Sequence, residues 1–160
     1  MRRLRACLLL LCLTATGCGV HGLSFVHDRR VDITTPRARS KVTLPVDVAW
    51  TVKHFRGSFG VLVDQAPPRS GETLPWLFRG NDTCRGATGR RLCATPNFLA
   101  DRNVFTTNRT RFTVARVNRF TGNDRRRQFH EVTIVLLDPQ GRRVGEGAWH
   151  VEFEVAAAHD

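Results

Sequence analysis

Trp149-His150-Val151-Glu152-Phe153-Glu154-Val155 alternates apolar and polar side chains without a fault, the period of two that a strand with one buried and one wet face requires. Upstream, Phe129 to Leu137 puts Val132, Ile134 and Leu136 on one face, and Val135 and Leu137 on the other. Between the two runs, Asp138-Pro139-Gln140-Gly141-Arg142 supplies a proline whose fixed φ suits a turn and a glycine where a positive φ is needed. Gln128 to Val155 therefore reads as strand, tight turn, strand. A two-stranded ribbon is marginal in water, so this hairpin has to pack on something earlier in the chain.

Register decides which faces of the hairpin meet. A three-residue loop without a bulge sets His130 opposite His150, a pair of imidazoles that would invite a metal. That register leaves Val132 and Ile134 sharing a face with Ala148 and Glu146. One extra residue within Gly145-Glu146-Gly147 puts Val132 opposite Trp149 and unites the apolar sets. Burial favours the bulged register, because a one-residue slip exchanges the two faces, and no metal site is expected there.

Lys41 to Lys53 is the second strong strand signal, with Val42, Leu44, Val46, Val48, Trp50 and Val52 on one face. Val31-Asp32-Ile33 starts a shorter strand that Pro36 interrupts, as suits an edge strand that changes course. Phe59 to Asp64 carries Phe59, Val61 and Val63 on one side, with Gly57 and Gly60 permitting a bulge or a close backbone approach. Val104 to Thr107 and Arg111 to Val117 add two short strands. From residue 65 to 103 the period breaks down. So long an irregular stretch inside a domain reads as an elaborated loop or a functional insertion, in which Leu74, Trp76, Leu77 and Phe78 form a short strand or cover a sheet edge and Asn97 to Asp101 makes a helical turn.

Short strands separated by turn signals, without a long helix, point to an all-β antiparallel sandwich. The run Thr43-Leu44-Pro45-Val46-Asp47-Val48-Ala49-Trp50-Thr51-Val52 resembles the early strand of bacterial immunoglobulin-like and fibronectin-type-III-like modules. Glu131 to Gly141 resembles their closing hairpin, so the resemblance covers residues 31–64 and 104–155. It implies a single immunoglobulin-like sandwich of about seven or eight strands, acting as a binding or spacer module with no catalytic residues to carry over.

The N-terminus addresses the chain. Met1-Arg2-Arg3-Leu4-Arg5 is a basic segment, Ala6 to Leu13 is an apolar run, and Ala15-Thr16-Gly17 precede Cys18. This is a secretory signal peptide over residues 1–17, with a core too short to span a bilayer. Ala15-Thr16-Gly17-Cys18 resembles the lipobox of bacterial lipoproteins, with Ala15 where leucine is usual; the same small residues also suit an ordinary signal peptidase. Cysteine arithmetic supports lipidation. Cys7 and Cys12 leave with the signal peptide, and Cys84 and Cys93 form an even pair that an oxidising compartment would join. That leaves Cys18 odd, and a lipid thioether would use it. A disulfide ring of about ten residues contributes roughly 2–3 kcal/mol, and it would staple the insertion 65–103. Residues 18–30 then form a lipidated tether, and 31–156 the sandwich domain.

Charge and motifs bound the function. Without Arg2, Arg3 and Arg5 the 25 basic residues fall to 22 against 14 acidic, a net of about +8. Such a surface favours anionic neighbours, phospholipid headgroups or envelope polymers; nucleic acid fits the charge but an exported chain seldom meets it. No motif of hydrolysis, phosphate binding or zinc catalysis occurs, and no cofactor is implied. Three readings follow. The first is a non-catalytic module of the envelope contacting a protein or an anionic polymer through 65–103, with Trp76, Phe78, Arg79, Arg85, Arg90 and Arg91 as its contact residues. The second is a small-ligand or metal carrier using Trp76, Phe78, His54 or the hairpin histidines. The third is a lipid-anchored enzyme with its site in the insertion. Intact mass of the membrane-extracted protein should show a diacylglyceryl group on a chain starting at Cys18, with Cys84 and Cys93 alkylated only after reduction; an unmodified Cys18 would sink the lipoprotein reading.

Overall fold

The computed structural model of this chain describes residues 28–80, 95–117 and 129–156. These form eight strands: β1 (Val31–Thr35), β2 (Ser40–Val42), β3 (Val46–Val52), β4 (Ser58–Val63), β5 (Val104–Thr107), β6 (Arg111–Val114), β7 (Phe129–Leu137) and β8 (Trp149–Val155). They divide into a three-stranded sheet, β1-β3-β6, and a five-stranded sheet, β2-β8-β7-β4-β5. Five pairings are antiparallel, while β2 runs parallel to β8. The wholly antiparallel sandwich expected from the sequence is corrected at that edge.

Proline explains a second correction. Lys41 to Lys53, expected as one strand, is two, in different sheets. Pro45 has no N–H to give a ladder, and the chain crosses there from β2 to β3. The apolar register nevertheless survives the break. Val42 and Leu44 pack against the same core as Val46, Val48 and Trp50, because both sheets turn their apolar faces to one interior. Opposite them stand Phe59, Val61 and Val63 of β4, Val132, Ile134 and Leu136 of β7, and Val151, Phe153 and Val155 of β8. Trp50 sits edge-on to Phe59, with ring centroids 5.3 Å apart.

The hairpin departs from expectation in amount and agrees in parity. Next to the turn, where Gly141 takes φ +74°, Leu137 faces Arg143 and the Val144 N–H donates to the Leu136 carbonyl at 2.9 Å. Farther along, Ile134 faces Trp149 and Val132 faces Val151. Between these points β7 advances three residues and its partner six, so three extra residues are absorbed in 145–148 where one was expected. Odd slips exchange faces alike, so Val132 and Ile134 still join Trp149, Val151 and Phe153.

Polarity runs out along β7. From Val132 to Leu137 every residue is buried, so the outer face of the five-stranded sheet is covered as well. Leu62, Val104, Val135 and Leu137 form a second cluster there with Leu74 and Leu99 of the insertion. Truncating Phe153, fully buried between the sheets, should cost about 3–5 kcal/mol in urea unfolding as Phe153→Ala. Phe129→Ala, at a ring 37% exposed, should cost less than about 1 kcal/mol.

Candidate partner-binding surface

The insertion is held from both sides. Arg143, itself buried, donates through Nη1 to the Pro68 carbonyl and through Nη2 to those of Glu146 at 2.5 Å and Gly147 at 3.3 Å. Its backbone N–H donates to Glu72 and its carbonyl accepts from Gly71, both at 2.8 Å. One side chain thus ties the start of the insertion to the β7–β8 connection. Loss of water on burial lowers the Arg143 pKa, which nearby Glu146 partly restores. Guanidinium stays charged at any ordinary pH, and carbonyl dipoles stand in here for a counter-ion.

Beyond this clamp the chain turns into a 3-10 helix, Leu74–Phe78, with Pro75 in its first turn. The sequence suggested a strand or an edge cover; a helix over the outer sheet face forms instead. Side chains three apart eclipse in this geometry. Leu74 and Leu77 face the sheet, and Trp76 and Arg79 come together on another side. Gly60 of β4 lets Leu74 approach. A Cβ on Gly60 would meet Val135 Cγ2 at 2.7 Å and Leu74 Cδ2 at 3.1 Å. The helical turn expected over Asn97 to Asp101 is present as α1 (Pro96–Ala100), capped by Thr95 Oγ1, which accepts from the Phe98 N–H at 3.3 Å.

Arginines lie on the aromatic rings of this layer. The Arg79 guanidinium carbon is 3.9 Å from the Trp76 ring centre and that of Arg69 is 5.7 Å away. Arg102 lies 3.6 Å from the Phe98 ring, which meets Phe78 edge-on at 5.6 Å. Each such contact contributes about 0.5–1 kcal/mol at an exposed site. Among the described residues, neither Arg69 nor Arg79 has a carboxylate within 4.0 Å. An indole face occupied by a guanidinium no longer offers a platform for a sugar or a base. The fork of N–H donors above it remains available to an anion.

Beside this surface runs a cleft of about 550 Å³. Leu74 and Pro75, α1, Val104 and Phe105 of β5, Phe112 and the turn at Gln140–Gly141 make its mostly apolar walls. Of the contact residues read from sequence, Trp76 and Arg79 are together and Phe78 stands apart with Phe98. Arg85, Arg90 and Arg91, the pair Cys84 and Cys93, and Cys18 lie outside the described residues. Arg69, Phe98 and Arg102 were missed by sequence reasoning. Their signal was present only as basic and aromatic residues in an aperiodic stretch.

The histidines do not assemble. His130 faces Phe153 on β8 and His150 faces Thr133 on β7, so the two imidazoles point to opposite sides of the sheet. His130 is buried, with Nδ1 2.8 Å from Asp64 Oδ2, and the Glu131 N–H donates to Asp64 Oδ1 at 3.0 Å. His54 is exposed in the turn after β3 at φ +54°. Comparison of the chain with protein-family models, curated proteins and solved structures finds no match.

Arg143→Met should destabilise the fold by about 2–4 kcal/mol, because orphaned buried carbonyls outweigh the relief of unburying a charge. Arg143→Lys should recover less than half of this, since an ammonium cannot span three carbonyls. Urea unfolding gives the totals, and amide exchange should quicken first in residues 69–73.

Proposed function

We infer that this chain is a lipid-anchored, non-catalytic binding module of a bacterial cell envelope, built on an immunoglobulin-like frame. The split of the first strands between sheets, and the division into three and five strands, support the immunoglobulin-like reading. Export and lipidation rest on the signal peptide and on Ala15-Thr16-Gly17-Cys18. The observation that carries the binding role is the Arg69–Trp76–Arg79 stack, where guanidinium groups are held on an indole without carboxylate partners among the described residues. Ordering long side chains before binding lowers the entropy lost on association. The chemistry it fits is an envelope protein or polymer that presents carboxylate or phosphate groups.

The adjacent cleft favours a second reading, a carrier of a small apolar ligand. Its volume falls within the range of ordinary ligand sites and its walls are chiefly apolar. An enzyme has less support, for His130 and Asp64 are away from the cleft lining, and Ser40 Oγ, one of the chain's few serine hydroxyls, lies buried without a hydrogen-bond partner among the described residues.

A photo-crosslinking amino acid at Gly80, exposed beside Arg79 with open space for a side chain, should capture an envelope component that the same probe at Thr113, on the outer face of the three-stranded sheet, does not. Arg69→Gln with Trp76→Ala should reduce the yield by roughly tenfold, as loss of a charged aromatic hot spot does. Equal labelling from both positions would overturn the binding surface. Labelling from Phe105, inside the cleft, by an apolar small molecule would favour the carrier.

A further inference from the structure

Charge in this domain is not spread evenly. The strand directions bring four connecting segments to one end of the sandwich: residues 28–30 before β1, 53–57 between β3 and β4, 108–110 between β5 and β6, and 138–148 between β7 and β8. Contacts tie them together. The Trp149 Nε1–H donates to the Asp28 carbonyl at 2.7 Å, the Lys53 N–H to that of Arg30 at 2.8 Å, and the Trp50 N–H to that of Thr110 at 3.0 Å. These segments hold seven basic and three acidic residues, a net of +4, whereas the other described residues carry eight of each. All the excess positive charge of the described residues is therefore at this end.

Much of that charge is free to meet a partner. Arg29, Lys53, Arg56, Arg109 and Arg142 are exposed, and none has a carboxylate within 4.0 Å among the described residues. On the acidic side, Asp28 is engaged by Arg30 at 2.8 Å, and Asp138 accepts from the N–H groups of Gln140 and Arg142. Within these segments Glu146 is the exposed acid, and Asp32 of β1, also exposed, lines a hollow with Arg29 and Lys53.

This is also the end at which the chain arrives from its N-terminal tail. Nine residues separate Cys18 from Asp28, and a flexible chain of that length would reach on the order of 20 Å. We propose that the five exposed cations form a docking surface for anionic phospholipid headgroups, seating the domain with this end against the bilayer that holds its lipid. The proposal rests on the lipid-anchored reading and deepens it by assigning an orientation. Tethering holds the cations within about two Debye lengths of the headgroups, so a surface that binds from solution only at low salt becomes effective at physiological salt once the anchor is in place.

The test uses the mature chain from residue 18 carrying Cys18→Ser, so that no acyl chain contributes, with vesicles of phosphatidylcholine alone or with about 30 mol % phosphatidylglycerol. Sedimentation at low salt should find it on the anionic vesicles alone. Changing Arg29, Lys53, Arg56 and Arg142 together to glutamine should lower that partition by roughly tenfold or more, given the free energy each cation gains near an anionic surface. A matched variant at the opposite end, with Arg37, Arg39, Lys41 and Arg116 changed to glutamine, should lower it by less than about threefold. Matching melting temperatures would show that all three chains are folded. Equal losses in the two variants, or no preference for anionic vesicles, would overturn the docking surface. The anchor is judged separately, since the lipidated wild type should stay on neutral vesicles through a high-salt wash.

Discussion

The fold depends on β7 being apolar on both faces. A strand buried on one side needs a single partner layer, and here the three-stranded sheet provides it. Val135 and Leu137 create a second debt on the other side, which no strand of the sandwich can settle. Leu74, Leu77, Phe98 and Leu99 cover them. The described parts of the stretch between β4 and β5, residues 64–80 and 95–103, are thus less an ornament than a third layer. Their aperiodic sequence follows from that role, because a cover made of single turns needs anchors at a few points and no repeating face.

Covering a sheet with irregular chain leaves backbone groups to be paired. Arg143 does much of this at one boundary, answering three carbonyls where a strand would have used a ladder. The same long, planar side chain serves differently on the outer surface. There Arg79 and Arg102 lie along aromatic rings and keep their charge in water. One residue type, abundant in this sequence, meets both needs of the third layer: internal polar pairing and an ordered positive exterior.

What could be read in advance follows from which forces are periodic. Alternation along 149–155 and 41–53 marks strands because burial acts residue by residue; the first stands where the pattern puts it, and the second is divided at Pro45 into β2 and β3. The parity of the hairpin was legible for the same reason, since only an odd slip unites Val132 with Trp149. The size of that slip was not, because three residues or one satisfy burial equally. Pro45 was visible as a missing donor, yet its consequence, a change of sheet, is decided by the return of β8 from the far end of the chain. The apolar outer face of β7 was visible too, and it could have announced a third layer. The Arg–aromatic stacks were hidden because they join residues of unrelated spacing. Their partners meet only after the third layer is in place.

The parallel edge formed by β2 and β8 has a mechanical meaning. β1 and β2 both run away from the end where the chain arrives, and β8 runs the same way, so Asp28 and Ala156 stand at opposite ends of the sandwich. Tension between them pulls β2 back and β8 forward along their common axis. Ser40 to Val42 and Phe153 to Val155 would have to slide past each other, with the Ala156–Val42 and Arg39–Glu152 backbone bonds failing in the same step. Bonds loaded side by side share the force, whereas a hairpin opened from its end loses them in turn. The domain is thus arranged as a strut that resists stretching along its length.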